Sequence, residues 1–186
     1  MKIAVISDIH ENTHNLIQAI KIIEEEKCDV IICLGDVGRS ILFEAIFSLQ
    51  LPVYFTFGNH DGNVIKNMKM LLRHTAGGHV RTNGMYQKIE LDGRNIFLTH
   101  YYELAEIVAK SGEFDVCFGG HNHIASEVKF GTTLCVNPGE ITGTHFDKPT
   151  FYIYDTKNDS GEFKGIKNHL SLNTPETLEF CKNIQK

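Results

Sequence analysis

Short apolar runs rich in β-branched residues recur along this chain, and each closes on an acid, an amide or a histidine. Lys2–Ser7 leads into Asp8-Ile9-His10, Asp29–Leu34 into Gly35-Asp36, and Pro52–Phe57 into Gly58-Asn59-His60-Asp61. Uninterrupted apolar runs, as opposed to alternating ones, are what strands covered on both faces require. Between the first two lies the helical spacing Leu16, Ile17, Ala19, Ile20, Ile22, Ile23, with Asn12 placed to cap it. A second helical pattern covers Ser40–Leu49. Two strand–helix repeats feeding a third strand predict a parallel sheet with right-handed crossovers.

Past a predicted helix over Val64–Arg73 the character changes. Tyr86–Leu91 and Asn95–Thr99 flank Asp92-Gly93, and Ser126–Phe130 and Thr133–Val136 flank Gly131-Thr132, two hairpin signals. A helix over Glu103–Lys110 leads to an apolar strand, Asp115–Phe118. Phe151–Asp155 and Phe163–Leu170 supply further strands, and Thr174 caps a last helix with Pro175 at its first position. With no repeat, low-complexity stretch or long linker, residues 1–186 read as one α/β domain. The expected architecture is a four-layer α/β/β/α sandwich of mixed sheets flanked by helices, more antiparallel in its second half, with a metal site at the strand carboxyl ends.

Composition narrows the chemistry. A formal net charge of −5 offers no broad basic field for nucleic acid, so a bound phosphate would need a local cation. The amino-terminal apolar run reaches Asp8 too early for a signal peptide, and no stretch approaches a membrane span, which predicts a cytoplasmic protein. Cys28, Cys33, Cys117, Cys135 and Cys181 form no CxxC pair and read as buried thiols in a reducing compartment.

Two further motifs, Thr99-His100 and Gly120-His121-Asn122-His123, also end predicted strands. Ligands of open α/β sheets bind outside the carboxyl ends of strands, so the five motifs are expected to converge. Carboxylate oxygens, an amide and neutral imidazoles suit Mn, Fe, Zn, Ni or Co; calcium calls for more oxygen, structural zinc for thiolate. So many donors exceed the needs of one ion. They suit two, about 3.5–4 Å apart and bridged by a carboxylate, an arrangement that clamps a phosphoryl group. Two such cations also reverse the sign of an acidic site.

Taken in order, DxH, GD, GNH(D/E), H and GHxH resemble the signature of the calcineurin-like metallophosphoesterase superfamily. The short chain and the Asn137-Pro138-Gly139 turn after the last hairpin resemble its small YfcE-like phosphodiesterase branch. The resemblance implies that Asp8, His10 and His123 bind one divalent metal, that Asn59, His100 and His121 bind the other, and that Asp36 bridges them. Manganese is the foremost expectation, with Fe, Ni, Zn and Co sharing these ligands. Also implied is hydrolysis, through a metal-bridging hydroxide, of a small phosphate ester, nucleotide-sized and diester by preference. His60 would lie beside the leaving oxygen and Asp61 would orient its ring. Small relatives often carry cysteine where this chain has His60. Two positions depart from the pattern. Tyr101-Tyr102 follow His100 where relatives read Gly-His, and Glu140 follows Gly139 where a small hydroxyl residue is usual, adding a negative charge near the expected site.

Two other functions stay open: a metal-dependent monoesterase of a small metabolite and, in a different class, a protein-interaction scaffold. The retromer scaffold subunit resembles this fold with an incomplete metal set, whereas here every ligand position is filled. Neither a membrane nor long nucleic acid is an expected partner, the latter for want of a basic track; a homo-oligomer is left open. Outside the motifs, Arg39 reads as a surface arginine at a helix start, with substrate phosphate as its alternative. Tyr101 and Tyr102 read as structural, with a stacking wall as the alternative, and Lys66, Lys69 and Arg73 as a solvated helix face. His14, His74, His79, His145 and His169 read as surface or internally satisfied histidines, His145 the least settled because it follows the Asn-Pro-Gly turn.

Overall fold

The computed structural model describes residues 1–62 and 78–169. The helix expected over Val64–Arg73 with its basic face, His74, the helix capped by Thr174, and Cys181 lie outside the described residues. In chain order the elements are β1 (Lys2–Ile6), α1 (Thr13–Glu25), β2 (Val30–Cys33), α2 (Ser40–Phe47), β3 (Val53–Phe55), β4 (Val80–Arg81), β5 (Tyr86–Leu91) and β6 (Arg94–Tyr101). There follow α3 (Tyr102–Ala109), β7 (Val116–Gly120), β8 (Ser126–Phe130), β9 (Thr133–Asn137), β10 (Thr150–Asp155) and β11 (Ser160–Gly165).

The first sheet has the order β11-β10-β1-β2-β3-β4. Its strands β1 to β4 are parallel, as the βα repeats predict, and β10 and β11 extend it antiparallel. The second sheet, β5-β6-β7-β9-β8, carries both expected hairpins on its outside. Its centre is parallel, β6 with β7 and β7 with β9, because α3 and then β8 return the chain before the next central strand begins. The second half is the more antiparallel one, as expected, although the centre of its sheet is parallel. At two residues, β4 is too short to leave a periodic pattern. β11 ends at Gly165, short of its expected end, where Ile166 turns inward and is buried.

Alternation along β1 explains the layers. Ile3 and Val5 face the second sheet with Val30, Ile32, Leu98, Val116, Phe118 and Val136. Ala4 and Ile6 face outward beneath Leu16, Ile20, Ile23, Phe43 and Phe47 of the two crossover helices. On the far side α3 lays Ala105 and Ala109 on Phe97, Cys117 and Cys135. Each fully buried aliphatic or aromatic side chain contributes roughly 1.5–3 kcal/mol, so both sheets are fixed from two faces. Asn12 caps α1, its side chain accepting the Asn15 N–H at 3.1 Å.

At the far end of α1, Lys2 and Lys164 converge on Glu26 at 2.9 and 2.6 Å and hold its carboxyl down at about 2. A carboxyl depressed on folding adds stability above its unfolded pKa of roughly 4.3 and loses it as pH falls toward 2. Glu26→Gln is expected to flatten the fall of the urea midpoint between those pH values. The effect should be small because the three side chains remain open to water in part, and an unchanged slope would remove Glu26 from the acid response.

Candidate metal centre

The loops after β1, β2, β3 and β7, with the last turn of β6, meet at one edge of the sandwich. Main-chain bonds zip the first two together: Asp8 N–H to Gly35 O at 3.2 Å, and Ile9 and His10 N–H to Asp36 O at 2.9 Å each. A side chain at Gly58 would collide with Asp36 Oδ1, and one at Gly120 with Ser7 Oγ and Asp8 Oδ2. The glycines of these two motifs are thus required by close approach. Asp8, His10, Asp36, His121 and His123 all adopt positive φ, between 41° and 73°. Asp and His tolerate this region better than most residues, yet it remains strained, and such strain gathers at functional sites.

Two clusters of donor atoms result. In one, His123 Nε2 lies 3.5 Å and His10 Nε2 3.7 Å from Asp8 Oδ1, and His10 Nε2 lies 3.5 Å from Asp36 Oδ2. In the other, His100 Nε2 lies 3.3 Å from Asp36 Oδ2, 3.1 Å from Asn59 Oδ1 and 3.2 Å from His121 Nδ1. Donors about 2.1 Å from a common centre sit roughly 3.0–3.4 Å apart, so the second cluster has the spacing of ligands and the first is slightly wider. Among the described residues neither Asp8 Oδ1 nor His10 Nε2 has a hydrogen-bond partner, although both atoms are sealed from solvent. Orphaned buried lone pairs of this kind are costly without a partner, and a cation supplies one. The donor set fits divalent metal.

Electrostatics agree. Burial pushes Asp36 and Asp8 up, but the neighbouring histidines outweigh it and both carboxyls end below their ordinary value. Burial pushes His100 and His123 down, yet hydrogen bonds to Asp36 and Glu140 and the charge of Asp8 leave both raised. The cluster of carboxylates is built to hold positive charge. His100 Nδ1–H is committed to Leu34 O at 2.8 Å, which leaves Nε2 facing the cluster.

Beside these donors, His60 is exposed at the rim, its ring edge-on to His10 at 5.0 Å, and its main-chain N–H donates to Asp36 Oδ1 at 2.6 Å. Asp61, buried, accepts the backbone N–H groups of Asp36, Val37 and Gly58 at 3.0, 2.7 and 2.6 Å. It staples the Asp36 loop to the Asn59 loop, a task the motif does not announce. Burial leaves its carboxyl raised despite those bonds. Tyr101 packs edge-on against His121 and His100 at 5.0 and 5.2 Å, whereas Tyr102 points away into the α3 layer.

Arg39 is paired with Glu11 at 2.7 Å and exposed, in line with the surface reading. His79 Nε2 bonds with Phe47 O at 2.7 Å, and His14 stacks on His169 at 4.1 Å. His145 is different. Its side chain is 57% exposed, but its ring lies 4.0 Å from that of His123 and shares Glu140 with it. It is thus both exposed and satisfied, and the partner that satisfies it, Glu140, also holds His123. Glu140 is not an open charge either: 1% exposed, it is enclosed by His123 and the 145–146 backbone. An acid just past the Asn-Pro-Gly turn, with a histidine five positions on, was the available signal.

A mixed two-sheet sandwich with His/Asp clusters at its strand ends offers a site for divalent metal, and the chain belongs to the calcineurin-like phosphoesterase superfamily, whose domain its residues 1–159 match. It is 30% identical to phosphodiesterase MJ0936 of Methanocaldococcus jannaschii over 84% of this chain and 94% of that one. An archaeal phosphodiesterase structure matches with a TM-score of 0.81 at 28% identity, covering 89% and 99% of the two chains. The E. coli phosphoesterase YfcE (TM-score 0.65, 18% identity, 89% and 100% covered) and Vps29 of Chaetomium thermophilum (0.62, 16%, 88% and 95%) share the fold. The protein is a metal-dependent phosphoesterase. Among the described residues no helix is long and apolar enough to cross a membrane.

Proposed function

We propose that this protein hydrolyses small phosphodiesters with two divalent cations, manganese foremost. Asp8, His10 and His123 would hold one, Asn59, His100 and His121 the other, and Asp36 both. The observation that carries this reading is Asp36 Oδ2, one carboxylate oxygen that faces His10 Nε2 at 3.5 Å and His100 Nε2 at 3.3 Å. Bound there, two cations would supply Lewis acidity toward the phosphoryl oxygens and lower the pKa of water.

The chain's own residues do the rest. The Asp36 and Asn59 loops, clamped by Asp61, fix the distance between the clusters. The seven ligands, anionic in themselves, would hold the cations against which an anionic ester is oriented. His60 at the rim protonates or hydrogen-bonds the departing ester oxygen, with Asp61 holding the loop that carries it. The similarity to phosphodiesterase MJ0936 supports the diester preference. Among the described residues the four cysteines are free and buried, which is compatible with a reducing cytoplasm.

The test is hydrolysis of an aryl phosphodiester and its matching monoester by chelator-stripped protein, with and without manganese. Manganese-dependent turnover dominated by the diester is expected. Dominance of the monoester would replace the diester reading with a phosphatase, and no turnover with any of several metals would favour the scaffold.

A further inference from the structure

Glu140 occupies a place where a carboxylate, and no other side chain, satisfies everything around it. Its Oε2 accepts His123 Nδ1–H at 2.7 Å and faces His145 Nδ1 at 3.2 Å. Its Oε1 accepts the backbone N–H of His145 at 3.1 Å and of Phe146 at 2.9 Å. Both oxygens therefore receive donors. Glutamine offers one acceptor oxygen and one donor NH2, so it would set a donor against a donor at one end or the other.

The backbone that carries Glu140 is itself pinned. Ile141 and Thr142 N–H bond to Ser7 O and Asp8 O at 3.1 and 2.9 Å, and Thr150 N–H bonds to Glu140 O at 2.9 Å. The carboxylate is thus referenced to the same β1 terminus that presents Asp8 and His10. With Nδ1 bound to Glu140, His123 can turn only its Nε2 lone pair toward Asp8 Oδ1, 3.5 Å away. We infer that Glu140 is a positioning residue, a buried carboxylate that fixes the tautomer and direction of His123 toward the Asp8–His10 metal and locks the 144–146 loop beside it. This rests on the ligand assignment proposed above. It also accounts for the acid in place of a small hydroxyl residue: the charge is buried and its Oε2 is taken up by His123 Nδ1, where a carboxylate supports a ligand histidine.

The experiment is manganese titration by calorimetry of metal-free wild type, Glu140→Gln, Glu140→Asp, His145→Ala and His123→Ala, with histidine 15N NMR of the zinc-loaded wild type. Glu140→Gln is expected to weaken one of two equivalents about 10–100-fold and spare the other, the usual cost of losing such a partner. Glu140→Asp, which keeps two acceptor oxygens, should recover part of that loss, and His145→Ala should bind both equivalents as wild type does. In the zinc-loaded wild type His123 is expected to keep a protected Nδ1–H.

Wild-type affinity in Glu140→Gln, a loss in His145→Ala equal to that in Glu140→Gln, or a His123 without its Nδ1–H would each overturn the inference. The NMR arm stands even if a variant fails to fold. His123→Ala separates the two claims. If it retains both equivalents the ligand assignment falls, whereas if it loses one while Glu140→Gln loses none, only the positioning role falls.

Discussion

Asp36→Asn is expected to leave the protein folded and to abolish its response to metal. The substitution keeps Oδ1, which accepts the His60 N–H at 2.6 Å, and replaces the oxygen shared by the two clusters with an NH2. That amide donates to a neutral His100 Nε2, so the metal-free variant loses one charged pair but strands no group. Its unfolding midpoint should lie close to that of metal-free wild type. The loaded proteins should differ sharply. A ligand at a hundredfold its Kd stabilises by about 2.7 kcal/mol. In a chain of this size that is a rise of about 5–10 °C for each filled site. Wild type is expected to gain that rise with manganese and Asp36→Asn to gain none. Turnover should fall by more than the 10²–10³ that removal of a single charge-stabilising donor costs. A variant that still takes up one equivalent would assign Asp36 to a single cluster and remove the bridge.

Why this carboxylate was visible in the sequence while others were not is a matter of range. Strands covered on two faces must be apolar throughout, so β1, β2 and β3 stood out, and with them the motifs at their ends. Gly58 and Gly120 belong to the same legible class, because a glycine beside a ligand marks a close approach of backbone. The parallel centre of the second sheet did not stand out. Hairpin turns at Gly93 and Gly131 are local signals, whereas the pairing of β7 with β9 depends on how far β8 swings outward. Glu140 was noticed as a departure, but its partners His123 and His145 are selected by the course of the backbone after β9, which no local pattern encodes. Asp61 was recognisable as the acid of its motif. Its three backbone bonds follow from the folding of two loops onto each other.

His60→Ala is expected to lower turnover on a poor leaving group by about 10²–10⁴-fold while both metals remain. The two effects separate because His60 serves the site in two ways. Its main-chain N–H binds Asp36 Oδ1 and survives truncation, so the carboxylate shared by the two clusters stays in place. Only the exposed ring beside His10 is lost, and with it the proton donor proposed for the leaving oxygen. An aryl ester, whose oxygen departs readily as an anion, needs that proton little, and its hydrolysis should fall far less than that of an alkyl ester. The ratio of the two rates is therefore the diagnostic quantity, measured as kcat beside metal content. His60 also lies within ligand reach of His10 and Asp36, so its ring has a second conceivable use. Loss of a metal equivalent in His60→Ala, with equal falls on both esters, would make His60 a ligand and leave protonation of the leaving group to solvent.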